Sequence, residues 1–344
     1  MQNRTLTAIA LASLVAAFGA QANKGADYRH QAPNSDKFTV TGGVNYLRPN
    51  QNLNDYLAFW NAATNDSEIY QIDPNYGFGY FLGFGYMIND HFDVQASWIQ
   101  SYTNGNDEAD LQGPGIIMTT SNRLIYNLAN ASDTLVATAH EKLNYQAADA
   151  TLGLTYRLGH GLSSRLFTGL RYAQIESKTH IDYTIAGPSN LGGFNGNYQP
   201  HYSSSFFGVG PEFGMDLDYR IKGIFGIVGR FAGAFLIGEQ KSKGQASFIN
   251  TLGGGSPVIN QTSFAQTNPG QIVPALDAKL GFNLTFPFMH HQDRFVLEAG
   301  YQVDYYFDAV DQLQFQGPPF STEGVHNYTN LGIMGPYVNL SAKF

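Results

Sequence analysis

Between Tyr76 and Ile88 the chain reads Tyr-Gly-Phe-Gly-Tyr-Phe-Leu-Gly-Phe-Gly-Tyr-Met-Ile, a stretch that few folds accept. Its even positions, Tyr76, Phe78, Tyr80, Leu82, Phe84, Tyr86 and Ile88, are all large and apolar or aromatic, while its odd positions include Gly77, Gly79, Gly83 and Gly85. Successive side chains of a strand point to opposite faces, so one face here is greasy and the other nearly empty. A buried sandwich strand fills its inner face. A wall with lipid on the outside and a watery or crowded lumen on the inside accounts for both faces.

The same alternation recurs along the chain. Runs are expected at Phe38–Leu47, Tyr76–Ile88, Phe92–Thr103, Lys142–Leu158, Leu162–Ile185, Ser204–Tyr219, Ile224–Phe248, Gln271–Phe288, Arg294–Ala309 and Leu331–Phe344. Short turns at Asn89-Asp90-His91, Gly159-His160-Gly161, Arg220–Gly223 and Met289–Asp293 alternate with long polar segments. One long segment, Asn104–Glu141, reads as irregular with a helical part near Ser121–Ala139. Sandwich connections do not sort by parity in this way. An up-and-down antiparallel β-barrel of about ten strands, within a range of 8 to 14, does so, with short periplasmic turns and long extracellular loops. The barrel is expected over residues 38–344, after a signal peptide at 1–22 and a periplasmic linker at 23–37. The signal reading rests on Arg4, the apolar stretch Leu6–Ala20 and the small-x-small site Ala20-Gln21-Ala22.

Charge placement is an independent constraint. Asp93, Asp149, Arg157, Arg165, Arg171, Glu212, Asp216, Arg230, Asp277, Lys279, Glu298 and Asp304 all fall opposite the large apolar residues, and we take them as pore-lining candidates. A base on the lipid face costs about 2 to 4 kcal/mol at the bilayer midplane. Lys178 and His180 break the parity, which places them above the membrane. Tyr46, Tyr76, Trp98, Tyr156, Tyr172, Tyr301 and Tyr305 share the outward parity and suit interfacial girdles. In the last run Val338, Leu340, Ala342 and Phe344 share a face and end on an aromatic residue, which looks like the signal read by the outer-membrane barrel assembly machinery.

Composition excludes several alternatives. Charged residues are only 13% of the chain and aromatics 14%, with 38 glycines, a mixture that favours strands and leaves little polar surface for a large soluble sheet. A net charge of -8 without a basic cluster argues against nucleic acid. With no cysteine, disulfides and thiolate chemistry are excluded. His140-Glu141 opens like a zinc-protease motif, but Asn144 stands where the second His belongs. Gly77-x-Gly79 and Gly208-x-Gly210 lack the helix and third glycine of a dinucleotide loop. His290-His291 suits a solvated turn. No cofactor, metal site or catalytic residue is expected.

The Tyr76–Ile88 run with its Asn89-Asp90-His91 turn, the phrase Ala96-Ser97-Trp98 and the Gly332–Phe344 terminus resemble the Legionella-type major outer membrane protein family. The resemblance implies a pore-forming barrel in the bacterial outer membrane, surrounded by outer-membrane lipids and lipopolysaccharide. It also implies disulfide-linked complexes, which a chain without cysteine cannot form, so the oligomeric state stays open. The expected function is a passive pore for small solutes. Two alternatives are an adhesive or structural surface barrel acting through its loops on surface ligands, and a barrel-rim hydrolase.

Overall fold

The computed structural model describes residues 37–51, 55–119, 125–128, 131–186, 194–252, 258–288, 293–315 and 324–344. The expected signal peptide, nearly all of the linker, and His290 and His291 lie outside these residues. Among the described residues the chain forms fourteen strands and no helix. In order they are β1 Phe38–Gln51, β2 Asp55–Asn61, β3 Asp66–Gln71, β4 Gly77–Met87, β5 Phe92–Gln112, β6 Gly115–Thr119, β7 Ile125–Leu128, β8 Thr134–Gly159, β9 Leu162–Ala186, β10 Phe194–Lys222, β11 Phe225–Leu252, β12 Val258–Phe288, β13 Asp293–Phe315 and β14 Gly324–Lys343. Ten of them close into a barrel in the order β1-β14-β13-β12-β11-β10-β9-β8-β5-β4. Each of the ten runs expected from alternation falls on one of these strands, to within a residue at its ends.

All barrel pairs are antiparallel. Closure joins the first strand to the last, with reciprocal backbone bonds between Phe38 and Phe344 at 3.0 and 2.9 Å. The outward row of β14 therefore stands beside that of β1, and Val338, Leu340 and Phe344 are exposed. The tight turns follow their residue chemistry. Asn89 Oδ1 accepts from the amides of His91 and Phe92, both at 2.9 Å, and at Gly159-His160-Gly161 all three residues have positive φ.

The lipid-facing band is continuous around the wall. Phe78 is 70% exposed, and Tyr80, Phe84, Leu170, Phe213, Phe231, Leu280 and Leu340 are also exposed. A soluble monomer does not present an apolar surface of this extent. Most barrel strands are far longer than the roughly 9 to 11 residues a tilted crossing needs: β4 has 11 residues, but β10 has 29 and β12 has 31. Their upper halves form a wall above the membrane.

In this upper wall the apolar residues change faces, while the same positions stay buried. On β9 the apolar residues Leu166, Leu170 and Tyr172 point outward, whereas higher up Ile175, Ile181, Tyr183 and Ile185 are buried inside. On β10 Phe207 and Val209 point outward and Phe206, Tyr202 and Tyr198 inward. Outside the bilayer, water replaces lipid on the outer face, so the apolar side chains change sides.

The inner face they create is covered by a second sheet, in the order β3-β2-β6-β7. Tyr56, Leu57, Phe59 and Ile117 of this sheet pack with Ala109, Leu111, Leu135, Ala137, Ile181, Tyr183 and Tyr198 of the barrel wall. Tyr183 donates to the Tyr56 carbonyl and Tyr56 donates to Asp107 at 3.0 Å. This corrects the reading of Asn104–Glu141 as irregular and partly helical. Asn104–Gln112 continues β5, Thr134–Glu141 opens β8, and β6 and β7 lie between them.

Candidate functional site in the lumen

At membrane depth the inward positions carry the charges singled out above, and the closed barrel brings most of them together. Arg165 on β9 bonds Asp93 across β8 at 2.7 Å, Asp216 on β10 at 2.9 Å and the Thr151 hydroxyl at 3.0 Å. Its room comes from Gly153, where a Cβ atom would collide with the guanidinium. One step higher, Arg171 holds Asp149 at 2.7 Å and reaches Asp277 at 3.2 Å and Glu212 at 3.3 Å. Arg230 adds Glu212 at 3.1 Å and lies 3.6 Å from both Asp149 and Asp277. The guanidiniums of Arg165 and Arg230 stack on Phe167.

Asp304 stands opposite Asp277 in the register and is buried with it. Lys279 lies over Phe81, and Tyr337 donates to Glu298 at 2.7 Å. Arg157 is the outlier of the twelve candidates: it is exposed near the Gly159-His160-Gly161 turn, away from the network.

Two further layers bracket this ionic layer. Below it, towards the short turns, a cavity of about 180 Å³ is lined by Thr39, Thr41, Gly83, Gly85, Gln95 and Ser97, with Asp149, Arg171, Arg230 and Asp277 at its head. Gly83 and Gly85 thus border open space. The position of Gly79 is already filled, because a Cβ there would overlap the Asn45 side chain.

Above the ions lies an apolar layer of Leu47, Ile99, Tyr145, Ile175, Phe206, Leu236, Val273, Tyr306, Leu331 and Ile333. Tyr145 and Tyr306 meet there through their hydroxyls at 2.9 Å. These side chains narrow the lumen at mid-depth.

Part of the narrowing comes from β13 itself. Its pairing with β12 stops at Ala275–Tyr306, and the register of β13 with β14 shifts between Tyr306 and Val310. Asp308 lies within that shift at φ 52°, and its amide is held by Asn330 at 3.0 Å. Beyond this kink β13 turns inward. The Asp311 amide donates to Ser204 on β10, while Gln240 and Ser242 on β11 donate to the Ala309 carbonyl and the Asp311 carboxylate.

Asp311 also lies 2.7 Å from His326 Nδ1, and His326 Nε2 lies 2.6 Å from the Gln266 amide oxygen. The nitrogen that a hydrolytic base would use is thus engaged by an amide, and Ser242 addresses the aspartate instead of the imidazole. Sequence reasoning missed this cluster, because its members come from four strands and share no local motif.

Above the membrane, Glu141 and His201 are among the groups shifted in pKa. Glu141 is buried on the inner face beside Ser177 and Gln51, and burial pushes its carboxyl up to about 7. His201 is lowered by burial and by the neighbouring His180. His140 points outward and Glu141 inward, so that pair shares no metal-binding face. Among the described residues no group of three or more His, Asp or Glu side chains is placed to hold a metal ion.

The profile described as Legionella pneumophila major outer membrane protein precursor matches residues 31–344. The chain belongs to this major outer membrane protein family. The bacterial outer membrane is accordingly the bilayer its apolar band meets. No curated protein matches this member of the family. Among solved structures it is similar to the outer membrane protease OmpT from Escherichia coli, at 10% identity and a TM-score of 0.45, over 92% of this chain and 99% of that one. It is also similar to Ail, the attachment invasion locus protein of Yersinia pestis, at 12% identity and a TM-score of 0.24, over 90% and 99% of the two chains. A third is the Pseudomonas putida toluene transporter TodX, at 8% identity and a TM-score of 0.23, over 91% of each chain. None is close enough to lend its activity to this chain.

Proposed function

We propose that this family member is a porin-like barrel giving small solutes a narrow passive path, and that it carries out no bond-making chemistry. The observation that carries this reading is the ionic layer at membrane depth, reached by an open cavity from the short-turn side. A lumen filled only for stability does as well or better with apolar packing, because burying ion pairs costs desolvation. Ionisable groups held inside a membrane mark ion or solute paths by default.

Six carboxylates, Asp93, Asp149, Glu212, Asp216, Asp277 and Asp304, face four bases, Arg165, Arg171, Arg230 and Lys279. Asp277 and Asp304 lie directly opposite one another, and facing carboxylates do not both ionise freely, so the layer is close to charge balance and loss of one base would turn it towards cations. The outward row Val338, Leu340, Ala342 and Phe344 acts in this reading as the terminal signal for barrel assembly.

Planar-bilayer recording of the refolded protein tests the proposal. Discrete, small conductance steps are expected in wild type, with larger steps and a reversal potential displaced towards cations in Arg230→Gln. Silence of both proteins sinks the pore. The second reading, a surface barrel acting through its extracellular parts, would then lead. It is favoured by one specific observation: the strands rise well above the lipid band as a two-layered wall.

A further inference from the structure

On the outer face of β8 to β11 the register stacks successive rows above the lipid band. Ala148, Tyr172, Val209 and Ile237 form the last apolar row, followed upward by Gln146, Gln174, Phe207 and Glu239, and then by Asn144, Glu176, Ser205 and Lys241. The next row reads Lys142, Lys178, Ser203 and Lys243 across the four strands. All four lysines of these two rows are exposed.

Rows are about 6.8 Å apart along a strand and strands about 4.8 Å apart. With the tilt of a membrane barrel, the upper lysine row stands about 10 Å above the Phe207 row. Headgroups extend about 5 to 8 Å beyond the hydrocarbon, and the tilt slopes the row by about 3 Å per strand, so the lysines stand at the outer edge of the headgroup region, within reach of their long side chains.

The row is costly as it stands. Lys142 and Lys178 are direct cross-strand partners, and like charges directly opposite one another destabilise a sheet. The acids of the same face are engaged elsewhere: Glu239 with Lys241 at 2.5 Å, Asp182 with His180 at 2.7 Å, and Glu176 with the Gln174 amide at 2.8 Å. Among the described residues Lys142, Lys178 and Lys243 have no ion-pair partner. A concentrated basic row on a chain of net charge -8, set just above lipid, has a phosphate-bearing headgroup as its complement.

We propose that Lys142, Lys178 and Lys243, with the Ser203 hydroxyl between the last two, bind the phosphate groups of a glycolipid in the outer leaflet. Lys241 sits at the edge of the site and keeps Glu239. The site is on the outer wall and is independent of whether the lumen conducts.

The test is titration of the detergent-refolded full chain with diphosphoryl lipid A in mixed micelles. Each lysine near such a surface is worth about 1 kcal/mol, or roughly five-fold in affinity. Lys178→Gln is therefore expected to bind about five-fold more weakly, and the Lys142→Gln/Lys178→Gln/Lys243→Gln protein about a hundred-fold more weakly. Lys37→Gln, at the opposite end of the barrel, should bind as wild type does. Because these side chains point away from the packed interior, heat-modifiable gel mobility should show every variant folded; if the triple variant fails to fold, Lys178→Gln alone decides. Unchanged affinity in Lys178→Gln overturns the proposal. So does equal binding of lipid A stripped of its phosphates. Displacement of the lipid by inorganic phosphate at matching concentration would show a free-anion site and overturn the lipid assignment.

Discussion

Arg171 and Glu141 point into the same barrel and meet opposite fates. Arg171 has only 2% of its side chain exposed, yet it is ringed by Asp149, Glu212 and Asp277, so its charge is compensated. Removing one partner of such a buried set costs about 3 to 5 kcal/mol, because the others are stranded. Glu141 has no cation beside it, and Ser177 and Gln51 only partly offset its burial. The folded chain therefore keeps that proton up to about pH 7, while the unfolded chain releases it near the ordinary value of 4.5. Between these values the native state binds more protons, so stability falls as pH rises and levels off above 7. Glu141→Gln is expected to stabilise the barrel by about 3 kcal/mol at pH 8 and by nothing at pH 4, as read from urea-unfolding midpoints of the refolded protein. A wild-type pH dependence retained in the variant would assign the effect to another group.

At the scale of strands, β8, β9 and β10 each change the side on which they bury apolar residues. Alternation alone made these strands legible up to the lipid boundary. It faded near Gln146, Gln174 and Ser205, where the outward residues become polar and the apolar ones resume one position out of phase. Read as a single period, Ala137 and Ala139 have no partner face. Only β2 and β6, packed across them, explain why small apolar residues recur there.

The β13 kink was equally hidden, since Asp308 alternates properly with its neighbours and its φ of 52° has no sequence signature beyond a residue type that tolerates it. Asp308→Gly should leave stability nearly unchanged, whereas Asp308→Val is expected to lose about 1 to 2 kcal/mol, because a β-branched residue is strained at that φ. Equal unfolding midpoints for the two variants would argue against the left-handed conformation.

For the molecule as a whole, the lumen is a series of layers: an open cavity, ion pairs, apolar packing, then the two-layered upper wall. The chain has no cysteine, so single cysteines can probe each layer against a silent background. A cysteine at Thr39, on the cavity wall, should react rapidly with a polar thiol reagent. One at Ala234, in the apolar layer, should stay protected until the protein is unfolded. Comparable rates at both sites would mean that Ala234 is not packed within the apolar layer.

What the amino-acid sequence determined by itself is the wall: ten strands, the hairpin parity, the lipid-facing set and the inward direction of the charges. Lipid and water act on each side chain singly, so the environment of each face is written locally, as a period of two residues. What fills the wall was left to tertiary structure. Arg171 meets Asp277 from 106 residues away, and β13 reaches β10 only because the barrel has closed and the strand has kinked. Such contacts depend on which residues curvature brings face to face across the lumen, and no local pattern encodes that distance. The glycines of Tyr76–Ile88 show the division within one strand: all face inward, yet Gly83 and Gly85 border open space while Asn45 has already taken the room beside Gly79.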